Sequence, residues 1–183
     1  MNFRFTTILL ALTLLLVLGV SVTQAAPAER PSEVAPAGIY DFTNHGTAWV
    51  AERRAQFRLF RPFGWGIKTK VKTASSQWVH IPIPMPSRIA NDFVNVQYVE
   101  FCAQSSKGTL TKPVRWDLWD DNSGRFYSAD ITWPADNAKH CIGHTFSPTY
   151  WVSNLGVSVL IQYANKYHAV TLYKAWVRVE PSP

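Results

Sequence analysis

Apolar and polar side chains alternate with period two over most of positions 49–179, the signature of half-buried strands. The stretch 93–102, Phe-Val-Asn-Val-Gln-Tyr-Val-Glu-Phe-Cys, is apolar on both faces. Read as a regular strand, it points Val94, Val96, Tyr98 and Cys102 one way and Phe93, Val99 and Phe101 the other. It predicts a central strand, covered on both sides near its end, with shorter strands laid around it. Over 65–72, Trp65, Ile67, Thr69 and Val71 make a dry face, and Lys68, Lys70 and Lys72 a wet, basic one. Over 78–86, Val79, Ile81 and Ile83 oppose His80, Pro82 and Pro84. Proline has no N–H to give to a ladder, so this segment predicts an edge strand leaving its sheet as extended chain. Positions 114–119 place Val114, Trp116 and Leu118 opposite Arg115, Asp117 and Trp119, so one of the two tryptophans is the less buried. Asp120-Asp121-Asn122-Ser123-Gly124 is a turn sequence, and 125–133 returns as its partner. Leu155, Val157, Val159, Ile161 and Tyr163 share one face, and 169–179 closes the domain. Eight or nine strands, spaced by turns and without an amphipathic helix, predict an all-β fold, an antiparallel β-sandwich.

The two ends change the picture of where this domain works. Residues 1–25 carry Arg4, an uncharged apolar run and small residues at a cleavage site, which predicts a signal peptide. The run is short against the roughly 20 residues of a spanning helix, so no transmembrane span is expected in the mature form. Residues 26–37 are rich in Pro and Ala and predict a disordered lead-in to a domain at 38–180, with a frayed tail at 181–183. In a secreted, extracellular chain two cysteines predict one disulfide, Cys102 to Cys141, worth roughly 4 kcal/mol through unfolded-state entropy. A metal site built from Cys102, His140, Cys141 and His144 is the alternative, but its spacing matches no standard zinc pattern.

The order His45-Gly46 with Trp49, the break Phe63-Gly64-Trp65-Gly66, then Gln77-Trp78-Val79-His80-Ile81-Pro82-Ile83-Pro84-Met85-Pro86 and Val114-Arg115-Trp116-Asp117-Leu118-Trp119-Asp120-Asp121 resembles an uncharacterised family of small bacterial secreted β-sandwich domains. The resemblance covers about 45–121 and departs from it at Asp120-Asp121, where an Asp-Gly is usual. It implies the sandwich; the family has no established activity, so no catalytic residue is carried over.

Charge and chemistry narrow the function classes. The net charge of +6 favours anionic envelopes, acidic polysaccharides or membrane surfaces. The cations are scattered, and no nucleic acid partner is expected. Glu100, Asp117, Asp120, Asp121 and Asp130 supply carboxylates for a glycan hydrolase, but turn formation and cross-strand pairing account for them as well. Asp120, Asp121 and Asn122 are weak candidates for a calcium site, without the spacing of a calcium loop. No Gly-x-Ser-x-Gly elbow occurs.

The 8 Trp, 7 Tyr and 10 Phe are more than one core easily hides. Trp116, Trp119, Trp133, Tyr150 and Trp151 are therefore the binding candidates, as rings that stack on sugars. The reading is a non-catalytic binding module for a carbohydrate or envelope polymer. A self-associating subunit of an extracellular layer or filament is the alternative, and a glycan-active hydrolase a weaker one.

Overall fold

A computed structural model describes residues 38–89 and 91–182; the expected signal peptide and lead-in lie outside the described residues. In chain order the strands are β1 (Tyr40–Asn44), β2 (Val50–Ala51), β3 (Phe57–Phe63), β4 (Gly66–Val71), β5 (Ser75–Ile83), β6 (Arg88–Ile89), β7 (Asp92–Ser105), β8 (Lys112–Asp120), β9 (Gly124–Asp130), β10 (Lys139–Trp151), β11 (Leu155–Tyr163) and β12 (Val170–Pro181). One sheet has the order β10-β7-β12-β4-β3, with β1 also on β12 and β6 on β7. The other has the order β2-β5-β11-β8-β9. All pairs are antiparallel. The expected antiparallel sandwich is the observed one, with more strands because several are short.

The two-faced character of β7 has a different cause from the one expected. Its register against β12 slips between Val96 and Tyr98, so Gln97 is an extra residue. A bulge of this kind reverses the alternation. Val94 and Val96 before it, and Val99, Phe101 and Ala103 after it, are therefore all buried in the same core. Tyr98 and Cys102 consequently turn to the outer face, where the disulfide to Cys141 covers Cys102. Cys102 and Cys141 are direct cross-strand partners of β7 and β10, as the pairing of two cysteines predicts.

β12 has the complementary irregularity. Its register slips between Leu172 and Ala175, and its free edge is shared by β4 before the slip and β1 after it. The 3-10 turn Gly46–Ala48 lies at this join. Gly46 is pressed against the backbone of Trp65, Gly66 and Tyr173, where a Cβ would approach to 2.8 Å. A Cβ on Gly66 would run into the carbonyl of Leu172. Trp49, 2% exposed, follows the turn and donates its indole N–H to the Tyr173 carbonyl at 2.6 Å. That bond occupies a carbonyl exposed by the β12 irregularity and carries the chain from one sheet to the other.

The second sheet follows its pattern closely. Val79, Ile81 and Ile83 of β5, five alternate residues of β11, and Trp116 and Leu118 of β8 enter the core. On its outer edge β5 pairs with the two residues of β2, the Glu52 N–H reaches the Trp78 carbonyl and the Asn44 amide the Pro82 carbonyl, so Pro82 interrupts no ladder. Trp65 is a correction: it is 54% exposed, because the β3–β4 connection carries it out of the sheet beside Phe63 and Tyr173. The chain also stays paired past the expected end of the domain. Pro181 opposes Val94 and the Ser182 N–H donates to the Phe93 carbonyl.

Two outcomes test this account by guanidinium denaturation. Gly66→Ala is expected to cost about 3 kcal/mol, the upper range for overpacking, because the obstructing atom is backbone. Replacing Cys102 and Cys141 together by Ser is expected to cost about 4 kcal/mol, from a loop closed across a separation of 39 residues.

Candidate functional site

The outer face of the five-stranded sheet is built from three rows that cross its strands. The first runs Pro82, Gly156, Trp119, Arg125. The second runs His80, Ser158, Asp117, Ser128, and the third Trp78, Leu160, Arg115, Asp130. Alternation puts these residues on one face because their neighbours in sequence fill the core. Two adjoining clefts, of about 210 and 410 Å³, share His80, Trp119 and Ser158. Trp78, Asp117, Arg125 and Glu52 line the smaller cleft, and Pro82 and Gly156 the larger.

Trp119 is 41% exposed, with the Arg125 guanidinium 5.9 Å from its ring centroid, and stands beside the bare backbone of Gly156. A Cβ at Gly156 would lie 3.7 Å from the Trp119 Cβ, an ordinary contact, and its backbone is not left-handed. The fold has room for a side chain there. What glycine does at this position is leave a flat floor between Pro82 and the indole.

Polar groups surround that floor in fixed positions. Asp117, 2% exposed, accepts from Arg115 Nε at 3.1 Å, Ser128 Oγ at 2.6 Å and Arg125 Nη1 at 3.2 Å. Burial alone would raise its pKa, but these donors outweigh burial and hold it below the ordinary carboxylate value. One buried carboxylate thus orients two half-exposed guanidinium groups. His80 shares a hydrogen bond of 2.7 Å with Ser158 Oγ, and its Nε2 lies 3.9 Å from Glu52. Burial lowers the His80 pKa, against a smaller upward pull from Glu52, so the ring is neutral at pH 7. The face offers a broad apolar ring, hydrogen-bond donors on the two arginines and an acceptor on Glu52.

Asp120, at the end of β8, has a structural task. One oxygen accepts from the backbone N–H and hydroxyl of Ser123, the other from those of Ser153 and from the Asn154 N–H. Burial would raise its pKa, but the bonds from Ser153 and Ser123 drive it well below the usual carboxylate range. Asp121 accepts from Asn154 and Asn122 donates to Ser153. These three residues tie the β8–β9 turn to the β10–β11 turn, and Asp120 commits its carboxylate to protein donors rather than to a cation.

The structure divides the five aromatic candidates. Trp116 and Trp133 are 2% and 5% exposed, so neither has a ring to offer; Trp116 packs on Phe101 and Tyr127 in the core. Trp133 lies under the edge of His140. Tyr150 and Trp151 are partly exposed but belong to β10 of the other sheet. Tyr150 has one face stacked on Phe126, with centroids 4.4 Å apart, and Trp151 meets Phe93 edge to face. Only Trp119 of the five lies on the face just described. Trp78, His80, Gly156, Arg115 and Arg125 join it there. Alternation in 78–82 and 115–119 signals their shared orientation, but not that β11 brings the two segments side by side.

No family model matches the chain, and no curated protein matches it. Solved structures are similar to it at low identity. One is a carbohydrate-binding module with specific mannan recognition, 11% identical over 80% of this chain and 100% of that one, with a TM-score of 0.48. Another is a low-affinity xylan binding module from Roseburia intestinalis, 10% identical over 77% of this chain and 96% of that one, TM-score 0.44. A third is a family two carbohydrate esterase from Cellvibrio japonicus, 12% identical over 80% of this chain, TM-score 0.45; the match spans 36% of the esterase's length.

The carboxylates predict the acid limit of the fold. Both Asp117 and Asp120 have folded-state pKa values below 3.8. The stability they add is therefore complete above that value and is lost as pH falls through the lower folded values. Asp120→Ala is expected to lower unfolding free energy by about 2–3 kcal/mol at pH 7, by stranding its donors, and to flatten the fall in stability below pH 4. Urea titrations at pH 7 and pH 3 check both points.

Proposed function

We propose that this is a secreted, non-catalytic carbohydrate-binding module, and that its sugar lies on the outer face of the five-stranded sheet. The observation that carries the reading is the half-exposed indole of Trp119 beside the side-chain-free Gly156, within a frame of fixed polar groups. A pyranose has an apolar C–H face and a rim of hydroxyls. The first suits an open aromatic face, and the second suits oriented Arg115, Arg125, His80 and Glu52. Asp117 is held by two arginines and a serine, which suits positioning rather than proton transfer. The disulfide suits an oxidising compartment.

Calorimetry with neutral polysaccharides tests the reading. Trp119→Ala is expected to weaken binding at least tenfold, about 1.4 kcal/mol, with the melting temperature little changed. Gly156→Leu is expected to abolish binding by covering the floor, while the protein stays folded. Undiminished binding by Gly156→Leu would sink the proposed location.

One observation favours self-association as a second reading. Phe93 and Trp151, 44% and 40% exposed, touch each other where the start of β7 meets the end of β10, with the Arg88 guanidinium 4.2 Å over the Phe93 ring. Such a patch suits a subunit contact. Sedimentation at high concentration decides it: assemblies that Trp151→Ala disperses would support a layer or filament subunit, and a monomer throughout would dismiss it.

A further inference from the structure

The outer face of the other sheet differs in chemistry from the Trp119 face. One row crosses five strands as Arg61, Lys68, Thr171, Gln104, Lys139. At about 4.8 Å between strands this line is about 19 Å long, with cations on β3, β4 and β10. Beneath it is a polar cleft of about 220 Å³, lined by Lys68, Gln104, Ser105, Ser106, Asn137, Ala169 and Thr171.

Of the acids on this face, Asp41 is balanced by a cation, while Glu100 and Glu180 accept from neutral donors and lie further along β7 and β12 than the row. Glu100 accepts from Trp176 Nε1 at 2.7 Å and from the Tyr98 hydroxyl at 2.9 Å. Asp41 forms a two-bond pair with Arg178, and Glu180 accepts from Gln97. Among the described residues, Arg61, Lys68, Lys139 and Lys174 have no carboxylate within 4.0 Å. The row itself is therefore a line of cations without a carboxylate partner. By contrast, the Trp119 face sets Glu52, Asp117 and Asp130 against Arg115 and Arg125.

We infer that this face binds an acidic polysaccharide, lying across the strands with its anionic groups on Arg61, Lys68 and Lys139. Charge complementarity selects the occupant. Cations lie over Tyr173 and Trp176, the rings nearest the row, and this favours an anionic chain over a neutral glycan or nucleobases that need an open ring to stack on. Trp65 lies between Phe63 and Tyr173, with centroids at 5.6 and 5.3 Å and near-parallel planes. Lys139 sits 4.5 Å over Tyr173, and Lys174 and Arg178 flank Trp176. The polar cleft beside Lys68 takes a carboxylate or a sulfate ester. The inference does not depend on the Trp119 reading, since the two faces belong to different sheets.

The test is affinity electrophoresis of the oxidised protein in polygalacturonate, its fully methyl-esterified form, dextran sulfate and single-stranded DNA, at about 0.15 M salt. Polygalacturonate or dextran sulfate is expected to retard the protein, and the stronger of the two identifies the anion as carboxylate or sulfate. Lys68→Glu with Lys139→Glu is expected to reduce that retardation at least tenfold. Arg53→Glu with Lys112→Glu makes the same charge change on the side of the five-stranded sheet and is expected to reduce it no more than twofold. An equal loss in both double variants would show attraction by net charge alone and overturn the proposal. Equal retardation by the esterified polymer would overturn it too, as would tighter binding of DNA with the same dependence on Lys68 and Lys139. Trp119→Ala, run in the same gels, is expected to leave retardation by the acidic polymers intact; its loss there would place the anionic chain on the other face.

Discussion

A regular strand with period two can give a core only alternate residues, and β7 would split its apolar set between two faces if it were regular. The extra residue at Gln97 removes that conflict. It lets Val94 and Val96 join Val99, Phe101 and Ala103 on one inner face. Burying a valine contributes roughly 1.5–3 kcal/mol, so the two valines gained, Val94 and Val96, outweigh one interrupted ladder position. The same change of parity decides the outer face. Tyr98, Glu100 and Cys102 come to stand in line there, and Glu100 can reach both Tyr98 and Trp176. The disulfide depends on it as well, because it brings Cys102 out opposite Cys141. Tyr98 then lies across Gly143 of β10, which has no side chain to obstruct it.

The second sheet depends on two buried carboxylates with separate tasks. Asp120 collects five hydrogen bonds from two turns and fixes the end of β8. Asp117, three residues earlier and on the opposite face, gathers two guanidinium groups and a hydroxyl. Burying a charge is costly unless its donors are supplied in place, and each of these has them. The outcome is a hydrogen-bonded polar frame beside Trp119, in which Arg115 and Arg125 are held by Asp117.

Much of this was legible in the chain where alternation is unbroken. Val79 to Ile83, Leu155 to Tyr163 and the hairpin around Asp120 read as strands and turn, and they are. The cysteine pair read as a disulfide because two cysteines allow one pairing. The opposition of Trp116 and Trp119 was legible too, since an odd separation along a strand puts them on different faces. Which of the two is buried depends on the neighbour across the core, Phe101, and that pairing is tertiary. The bulges were not legible: nothing local in Val96-Gln97-Tyr98 announces that Gln97 is left over, because the partner strand makes it so. The same holds for β1 and β2, whose short runs gain their pairing from β12 and β5. Trp133 is buried although it stands next to a loop in sequence, because His140 of β10 packs against it.

Gly156 shows how a site can be separated from the scaffold that holds it. Gly46 and Gly66 are glycine for the sake of the fold, since backbone atoms occupy the space a Cβ would need. At Gly156 the nearest obstacle is 3.7 Å away and the backbone is extended, so the fold makes no such demand. A glycine within a strand gives up stability through its greater unfolded freedom and its missing cross-strand contact. The three neighbouring outward positions on β11 carry Ser158, Leu160 and Gln162, so the strand does not avoid side chains in general. The loss at Gly156 has a local return: the indole of Trp119 keeps an uncovered approach from the direction of Pro82. An arrangement that weakens the sheet and opens a ring face is better explained by a ligand than by packing.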